Sequence, residues 1–444
     1  MRKAGNLHEI YQAFQGGRPL AIRELDQFYQ PTTEARGGNP RQRMARTLRN
    51  NLFTHQHILF IGYRGCGKST ELNHLQRDLQ DEILVINYSV QEELDPMHIT
   101  YIELFIVNME RLFTTARELK LKINKKYLEA VTEWLVTPEI VEIREKYNIG
   151  AEAEIGGGVT ASIPFLAEFF GKFKATAKSS RSLKETLKRN VEPRLSDLIQ
   201  FCNDLIREIK LNLNRIGKKD LLLVIEDLDK IPLDRAESLF FNHTQQLVQI
   251  QANVIYTFPV ALYFHLRFNT IKPYFSDCRE LPMIRVRHKN GDVDQRGVQT
   301  MRDIVFARMD ESLFSDLGDL NGMIGESGGC LRDLFLMIVE AAENAQDYER
   351  ERIVADDCRS AHQRLKREYE NNIADYVLDD KVIVPVENYF EVLVQLANSP
   401  EKKVDNTLEA LHLRQNLSIL GYNGEQWYDV HPIVRTILEE RGRL

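Results

Sequence analysis

Cysteine is scarce in this 444-residue chain, with five residues (Cys66, Cys202, Cys278, Cys330, Cys358) scattered far apart and no CxxC pair. That spacing fits neither a disulfide framework nor a zinc module, and it suits a reducing compartment. Long apolar runs are absent too. The longest, Val254 to Phe264, contains Thr257 and Pro259 and falls well short of the ~18 to 20 residues that span a bilayer. Met1 to Phe14 reaches His8 and Glu9 before any apolar region forms, so a secretory leader is not expected and a cytoplasmic location is. Neither sign of charge dominates: 58 Lys+Arg stand against 65 Asp+Glu, for a net charge of -7. This argues against a uniformly basic nucleic-acid coat and leaves room only for a local basic face. The sequence has no internal repeat and no long low-complexity tract. Its hydrophobic content of 43% is enough for a sizeable core in two or three domains.

The first positive signal is an order of elements. The apolar run His57 to Ile61 has the length of a buried strand, Gly62 to Thr70 forms a glycine loop, and an amphipathic helix follows with Leu72, Leu75 and Leu79 on one face. Further strands are expected at Ile83 to Tyr88, Leu221 to Ile225 and Val254 to Tyr256, with a last one near Leu281 to Val286. Helical patterns between them predict an α/β fold, a parallel sheet with helices on both faces.

The 130 or so residues between the second and third strands far exceed one crossover helix, which predicts a helical insert over about 100–218. It holds Gly156 to Gly158, the largely apolar Ile163 to Phe170, and a basic run from Gly171 to Asn190 with Lys172, Lys174, Lys178, Arg181, Lys184, Lys188 and Arg189. Core packing is the expected use of the apolar stretch, ahead of an interfacial membrane helix. Helical periodicity then runs through a lid over 288–375. From 376 to 444 two helices precede two short strand patterns joined by Tyr422-Asn423-Gly424-Glu425, a hairpin signal. The expected divisions are 1–50 as an N-terminal lead-in, 51–287 as the core with its insert, then the lid and a C-terminal winged-helix module.

Gly62 to Ser69 matches G-x-x-x-x-G-K-[ST] in full. Such a loop wraps backbone N–H groups around phosphate oxygens, which β-carbons would obstruct. Gly62, Tyr63, Arg64, Gly65, Cys66, Gly67, Lys68, Ser69 and Thr70 are therefore the candidate nucleotide cradle. Lys68 is placed at the β/γ-phosphates and Ser69 on Mg²⁺, with the helix's positive end aimed at the anion. Cys66 reads as a small residue, with oxidation sensitivity as the alternative. The second element is Leu221 to Asp229, an apolar strand ending in acids. Glu226 is the metal-side candidate and Asp227 the candidate for polarising water; the Glu-then-Asp order leaves the two roles open, and Asp229 is read as a helix cap.

Together these residues resemble the AAA+ and STAND groups of P-loop ATPases, especially the branch of origin-recognition and replication-initiator proteins and transposition regulators. The resemblance covers about 25–444 without the insert. It implies that Thr257 reads the γ-phosphate, that Arg332 in Gly328-Gly329-Cys330-Leu331-Arg332 reaches the nucleotide from the lid, and that Arg279 is a finger entering a neighbour's site in a homo-oligomer. It also implies that Phe28 and Tyr29 lie over the adenine, and that the end of the chain around His431 is a winged-helix segment. His431 itself reads as structural, not as a metal ligand. The implied function is an ATP- and Mg²⁺-dependent switch that signals to a partner or effector in regulation or in antiviral defence. The alternatives are a DNA-associated ATPase, using the winged helix and the basic run, and an ATP-gated scaffold without turnover.

Overall fold

The computed structural model describes every residue except 16–17, 52–53, 150–161, 193–194, 379 and 423–426. Gly156 to Gly158 and the Asn423-Gly424 turn therefore lie outside the described residues. Five strands, β1 (His57–Gly62), β2 (Ile83–Ser89), β3 (Asp220–Glu226), β4 (Asn253–Phe258) and β5 (Asp277–Leu281), form one all-parallel sheet in the order β2-β3-β4-β1-β5. β1, β3 and β4 are buried along their whole length, as their unbroken apolar sequences require when helices cover both faces. β1 lies between β4 and β5, and Glu226 of β3 pairs with Ser89 at the end of β2. The loop after β1 and the acids after β3 thus leave the same edge of the sheet, where ligands bind in open α/β folds.

The last strand differs from expectation. It spans Asp277–Leu281, not Leu281 to Val286, so Arg279 lies inside it and not before it. Asp277, Arg279 and Glu280 give it no apolar signature because it is an edge strand, only partly buried.

Among the described residues, six α-helices lie between Tyr101 and Asn212 in the segment that joins β2 to β3. A capping box opens the first, Tyr101–Glu118: Thr100 accepts from the Glu103 amide and Glu103 from the Thr100 amide at 2.8 Å. Phe113 stacks on Phe170 at 5.7 Å, and Trp134 lies over the same ring at 6.5 Å. Leu166, Phe169, Phe170 and Phe173 are buried in this cluster, so the apolar stretch from Ile163 is core and faces no membrane. Among the described residues no helix is long and apolar enough to cross one.

Helices Gln295–Phe306, Leu317–Glu326, Leu331–Asp347 and Ala355–Asn372 follow the sheet. A short hairpin, β6 (Tyr376–Leu378) with β7 (Lys381–Val384), was not foreseen from the sequence. Helices Val386–Asn398 and Leu408–Gln415, the antiparallel pair β8 (Ile419–Tyr422) and β9 (Trp427–Val430), and a closing helix Pro432–Glu440 complete the chain. The order of these elements is helix, helix, hairpin, helix. In the lid, Gly329 is a close-approach point to the core: its φ is +82°, and a β-carbon there would lie 1.8 Å from the Ile284 carbonyl oxygen. Gly329→Ala is expected to destabilise the protein by about 2 kcal/mol or more, read as a lowered urea midpoint with an unchanged slope.

Candidate nucleotide site

The phosphate loop bends at Gly65 (φ +76°) and Gly67 (φ +100°), and Gly67 opens the helix Lys68–Leu79. A cavity of about 390 Å³ lies against it, within the size range of small-molecule sites. Its wall includes Arg64, Gly65, Gly67, Lys68, Ser69 and Thr70 of the loop, Asp227 after β3, Arg332 from the lid, and Phe28 and Tyr29. Residues from four distant parts of the sequence thus meet around one space.

Lys68 is almost fully buried. Nζ donates to the Gly62 carbonyl at 2.7 Å and the Tyr63 carbonyl at 2.8 Å, and stands 2.9 Å from Oδ2 of Asp229. Two of the ammonium's three donors go to the loop carbonyls, and the Asp229 carboxylate balances its charge. Burial alone would lower the lysine's pKa, but the Asp229 charge outweighs it and holds it above the ordinary value. Burial likewise pushes Asp229 up while Lys68 pulls its carboxyl below the usual range. Asp229 is thus the ion-pair partner of the loop lysine and does not cap a helix. Thr257, expected to face a phosphate, stands behind it: buried within β4, its Oγ1 accepts from the Leu228 amide at 3.0 Å, fixing the turn that carries Asp229.

The paired acids separate. Oε1 of Glu226 accepts from Asn87 Nδ2 at 2.7 Å, on the far side of Ser69 from the main cavity. Burial raises its carboxyl to about 7, the Asp227 and Asp229 charges add to this, and Ser69 and Asn87 pull the other way. Asp227 lines the cavity in a left-handed conformation (φ +68°), strained for a non-glycine residue. It is tied by Ser89 Oγ at 2.5 Å and Lys230 Nζ at 2.6 Å.

Gly62, Tyr63 and Cys66 lie behind the loop, not on the cavity wall, and Tyr63 and Cys66 are completely buried. The Tyr29 hydroxyl donates to Glu71 Oε1 at 3.0 Å, and Phe28 packs with Leu20 and Leu25. Arg279 is not at this cavity. It sits on the edge strand with Nε 2.7 Å from Asp277 Oδ2, beside a separate 230 Å³ pocket.

Sequence reasoning missed Arg36 and Asn87 and gave Asp229 a different role. Arg36 is a buried guanidinium that donates to the Cys66 carbonyl at 2.6 Å, the Pro282 carbonyl and Thr32 Oγ1 at 3.0 Å. It bolts the N-terminal segment to the loop and to the end of β5. No local pattern announces such a contact, and only the acid count after β3 pointed toward Asp229.

Among the described side chains, five of the seven basic residues of the run have partners within this chain, and the C-terminal helix is packed inward. Lys184 lies 3.2 Å from Glu103 and 3.6 Å from Asp95, and Lys174 pairs with Glu93 and Glu110. Lys178 donates to the Glu92 carbonyl, Lys172 pairs with Glu168 at 2.8 Å, and Arg189 with Glu142 at 3.5 Å. The helix Leu408–Gln415 packs on the core. Its buried Arg414 lies 4.0 Å over the Phe264 ring and 5.0 Å over Tyr428, and Gln415 reaches the Asp229 carbonyl at 3.5 Å.

A parallel sheet with a phosphate loop after β1, followed by a helical lid and a C-terminal helix-and-hairpin module, makes a P-loop α/β architecture. No protein-family model matches the sequence, and no curated protein does. Among solved structures the chain is similar to the Orc2 protein of Aeropyrum pernix in ADPNP and ADP complexes, at 11% identity over 96% of this chain and 99% of that one, TM-score 0.39. It is also similar to Cdc6p of Pyrobaculum aerophilum (13%, 97% and 98%, TM-score 0.38) and to a Walker-type ATPase of Pyrococcus abyssi (14%, 96% and 99%, TM-score 0.42). Likeness at this level leaves the chemistry to be argued from this chain's own residues.

Because Asp229 is, among the described residues, the carboxylate paired with the buried Lys68 ammonium, Asp229→Asn is expected to lower the stability of the nucleotide-free protein by about 3 kcal/mol. Added ATP, which offers Lys68 a new anion, is expected to raise the melting temperature of the variant more than that of the parent chain.

Proposed function

We propose that the chain binds ATP with Mg²⁺ in the cavity at the phosphate loop, hydrolyses it, and acts as a nucleotide-driven switch. The observation that carries this is the convergence of Lys68, Ser69, Asp227 and Arg332 on one cavity. In this reading the γ-phosphate takes Lys68 from Asp229, and the loop amides and the helix N-terminus hold the remaining charge.

The residues present fit Mg²⁺. A Ser69 hydroxyl and the Glu226 carboxylate are hard oxygen donors, and Asn87 Oδ1 beside them is buried with no hydrogen-bond partner. Among the described residues no group of three or more His, Cys, Asp or Glu gathers as a metal cage. Mg²⁺ in nucleotide sites is commonly held by one or two protein oxygens and the substrate's phosphates. When bound, the ion would neutralise charge on the transferred phosphoryl group. Asp227 is the residue placed to orient the attacking water, and its bonds to Ser89 and Lys230 fix its direction.

Output in this reading comes from the lid and the C-terminal module, which touch the loop directly. The Arg332 amide meets the Gly65 carbonyl at 3.4 Å, and the Tyr422 hydroxyl donates to the Gly328 carbonyl at 2.7 Å. Arg279, on an open sheet edge and away from its own chain's cavity, is offered to a neighbouring copy, where a guanidinium would act on the transferred phosphoryl group. The basic run and the packed C-terminal helix favour a switch that signals to a protein over one that grips DNA.

Lys68→Ala is expected to weaken ATP binding by about a hundredfold or more. Asp227→Asn should keep ATP affinity within about threefold and lower turnover at least about tenfold. Unaltered ATP affinity in the lysine variant would sink the reading. Duplex DNA is expected to leave phosphate release unchanged at both low and high salt; stimulation that disappears with salt would instead favour the DNA-associated ATPase.

A further inference from the structure

The lid arginine is not free to reach a phosphate. Arg332 stands on the first turn of Leu331–Asp347, with about a third of its side chain exposed and on the cavity wall. Its Nε and Nη2 both lie 3.0 Å from Oδ1 of the next residue, Asp333. Asp333 itself is fully buried. Its other oxygen, Oδ2, accepts from the Tyr369 hydroxyl at 2.6 Å and lies 3.2 Å from Nε2 of His431.

These partners come from different elements. Tyr369 belongs to the helix Ala355–Asn372, and His431 is the N-cap of the closing helix Pro432–Glu440. Nδ1 of His431 accepts from the Ile433 amide at 3.2 Å, which assigns the ring proton to Nε2, the nitrogen that faces the Asp333 carboxylate. The Tyr369 and His431 rings stack at 4.5 Å. Burial would raise the Asp333 carboxyl, but the bonds and charges of His431, Arg332 and Tyr369 bring it down to about 2.

One oxygen of Asp333 is therefore held by Tyr369 of the lid and faced by His431 of the closing helix, and the other is held by the arginine on the cavity wall. We infer that Asp333 is a positioning residue that parks Arg332 away from the phosphates, with Tyr369 and His431 setting how firmly it does so. Arg332 can turn to the nucleotide only if the buried carboxylate it leaves stays satisfied by the other two donors. Weakening those donors makes Asp333 hold the arginine harder; neutralising Asp333 releases it. By thermodynamic reciprocity, a nucleotide that captures Arg332 throws the whole carboxylate onto Tyr369 and His431 and tightens the C-terminal seat. This rests on the ATP-binding reading of the cavity and names a control of that site.

The test is equilibrium binding of ATP and of ADP to the full chain and its variants. Asp333→Asn is expected to tighten ATP about tenfold while leaving ADP within about twofold. Tyr369→Phe, which keeps the ring and removes one bond, should weaken ATP about threefold. Both effects should vanish when Arg332→Ala is added. A merely structural network would move the two variants in the same direction, and that result, or effects that persist without Arg332, would overturn the inference. If Asp333→Asn does not fold, Tyr369→Phe decides alone: an unchanged ATP affinity in the folded variant overturns it. Failure of the parent chain to bind ATP removes the ATP reading and this inference together, whereas ATP binding with unresponsive variants removes this inference only.

Discussion

A buried ammonium organises the end of the sheet where the loop lies. Lys68 is removed from water and kept charged, which is tolerable only because two loop carbonyls accept from it and the Asp229 carboxylate pairs with its charge. Asp229 in turn needs a fixed place, and the turn after β3 supplies it through the Thr257 bond to the Leu228 amide and the strained backbone of Asp227. Arg36 fixes the other side of the loop by holding the Cys66 carbonyl. The glycine loop is thus braced by a carboxylate and a guanidinium, each of which would be costly to leave buried alone. A phosphate that enters must compete with an internal anion for the same lysine, so the site has its own occupant in the state described.

The phosphate loop was legible because its requirements are local: positive φ at fixed positions, a lysine after the last glycine, and a strand and a helix on either side. The fully buried strands were legible for a similar reason, since β1, β3 and β4 carry unbroken apolar runs. β5 was placed too late because an edge strand with Asp277, Arg279 and Glu280 presents no apolar run and only its last residue is deeply buried. The basic run illustrates a different limit. Lys174 and Lys184 look like a cationic face in sequence, yet their partners Glu93, Glu110 and Glu103 lie 64 to 81 positions earlier; only tertiary packing brings them together. Asp229 was visible as an acid, but its role depends on a left-handed turn two residues before it, which no spacing rule specifies. Of the site residues, Lys68, Ser69, Asp227, Phe28, Tyr29 and Arg332 do meet at one cavity, while Glu226, Thr257 and Arg279 stand outside its wall.

Direct contact between the C-terminal module and the loop gives the fold its capacity to transmit. A β-carbon on Gly421 of β8 would lie 2.8 Å from the Tyr63 hydroxyl, and Arg414 is buried beside the same ring. His431 reaches Asp333, and Tyr422 reaches Gly328. Among the described residues these contacts join the cavity wall directly to the C-terminal module, so a change in the loop or at Arg332 must either strain them or be carried by them.

The most direct test of this coupling is amide hydrogen exchange of the full chain with and without ATP. Slower exchange at residues 431–438, alongside slowing in the loop at 62–70, is the predicted result, because ATP that draws Arg332 away leaves Asp333 resting on His431 and Tyr369. Slowing confined to the loop and the cavity wall, with the closing helix unchanged, would contradict it.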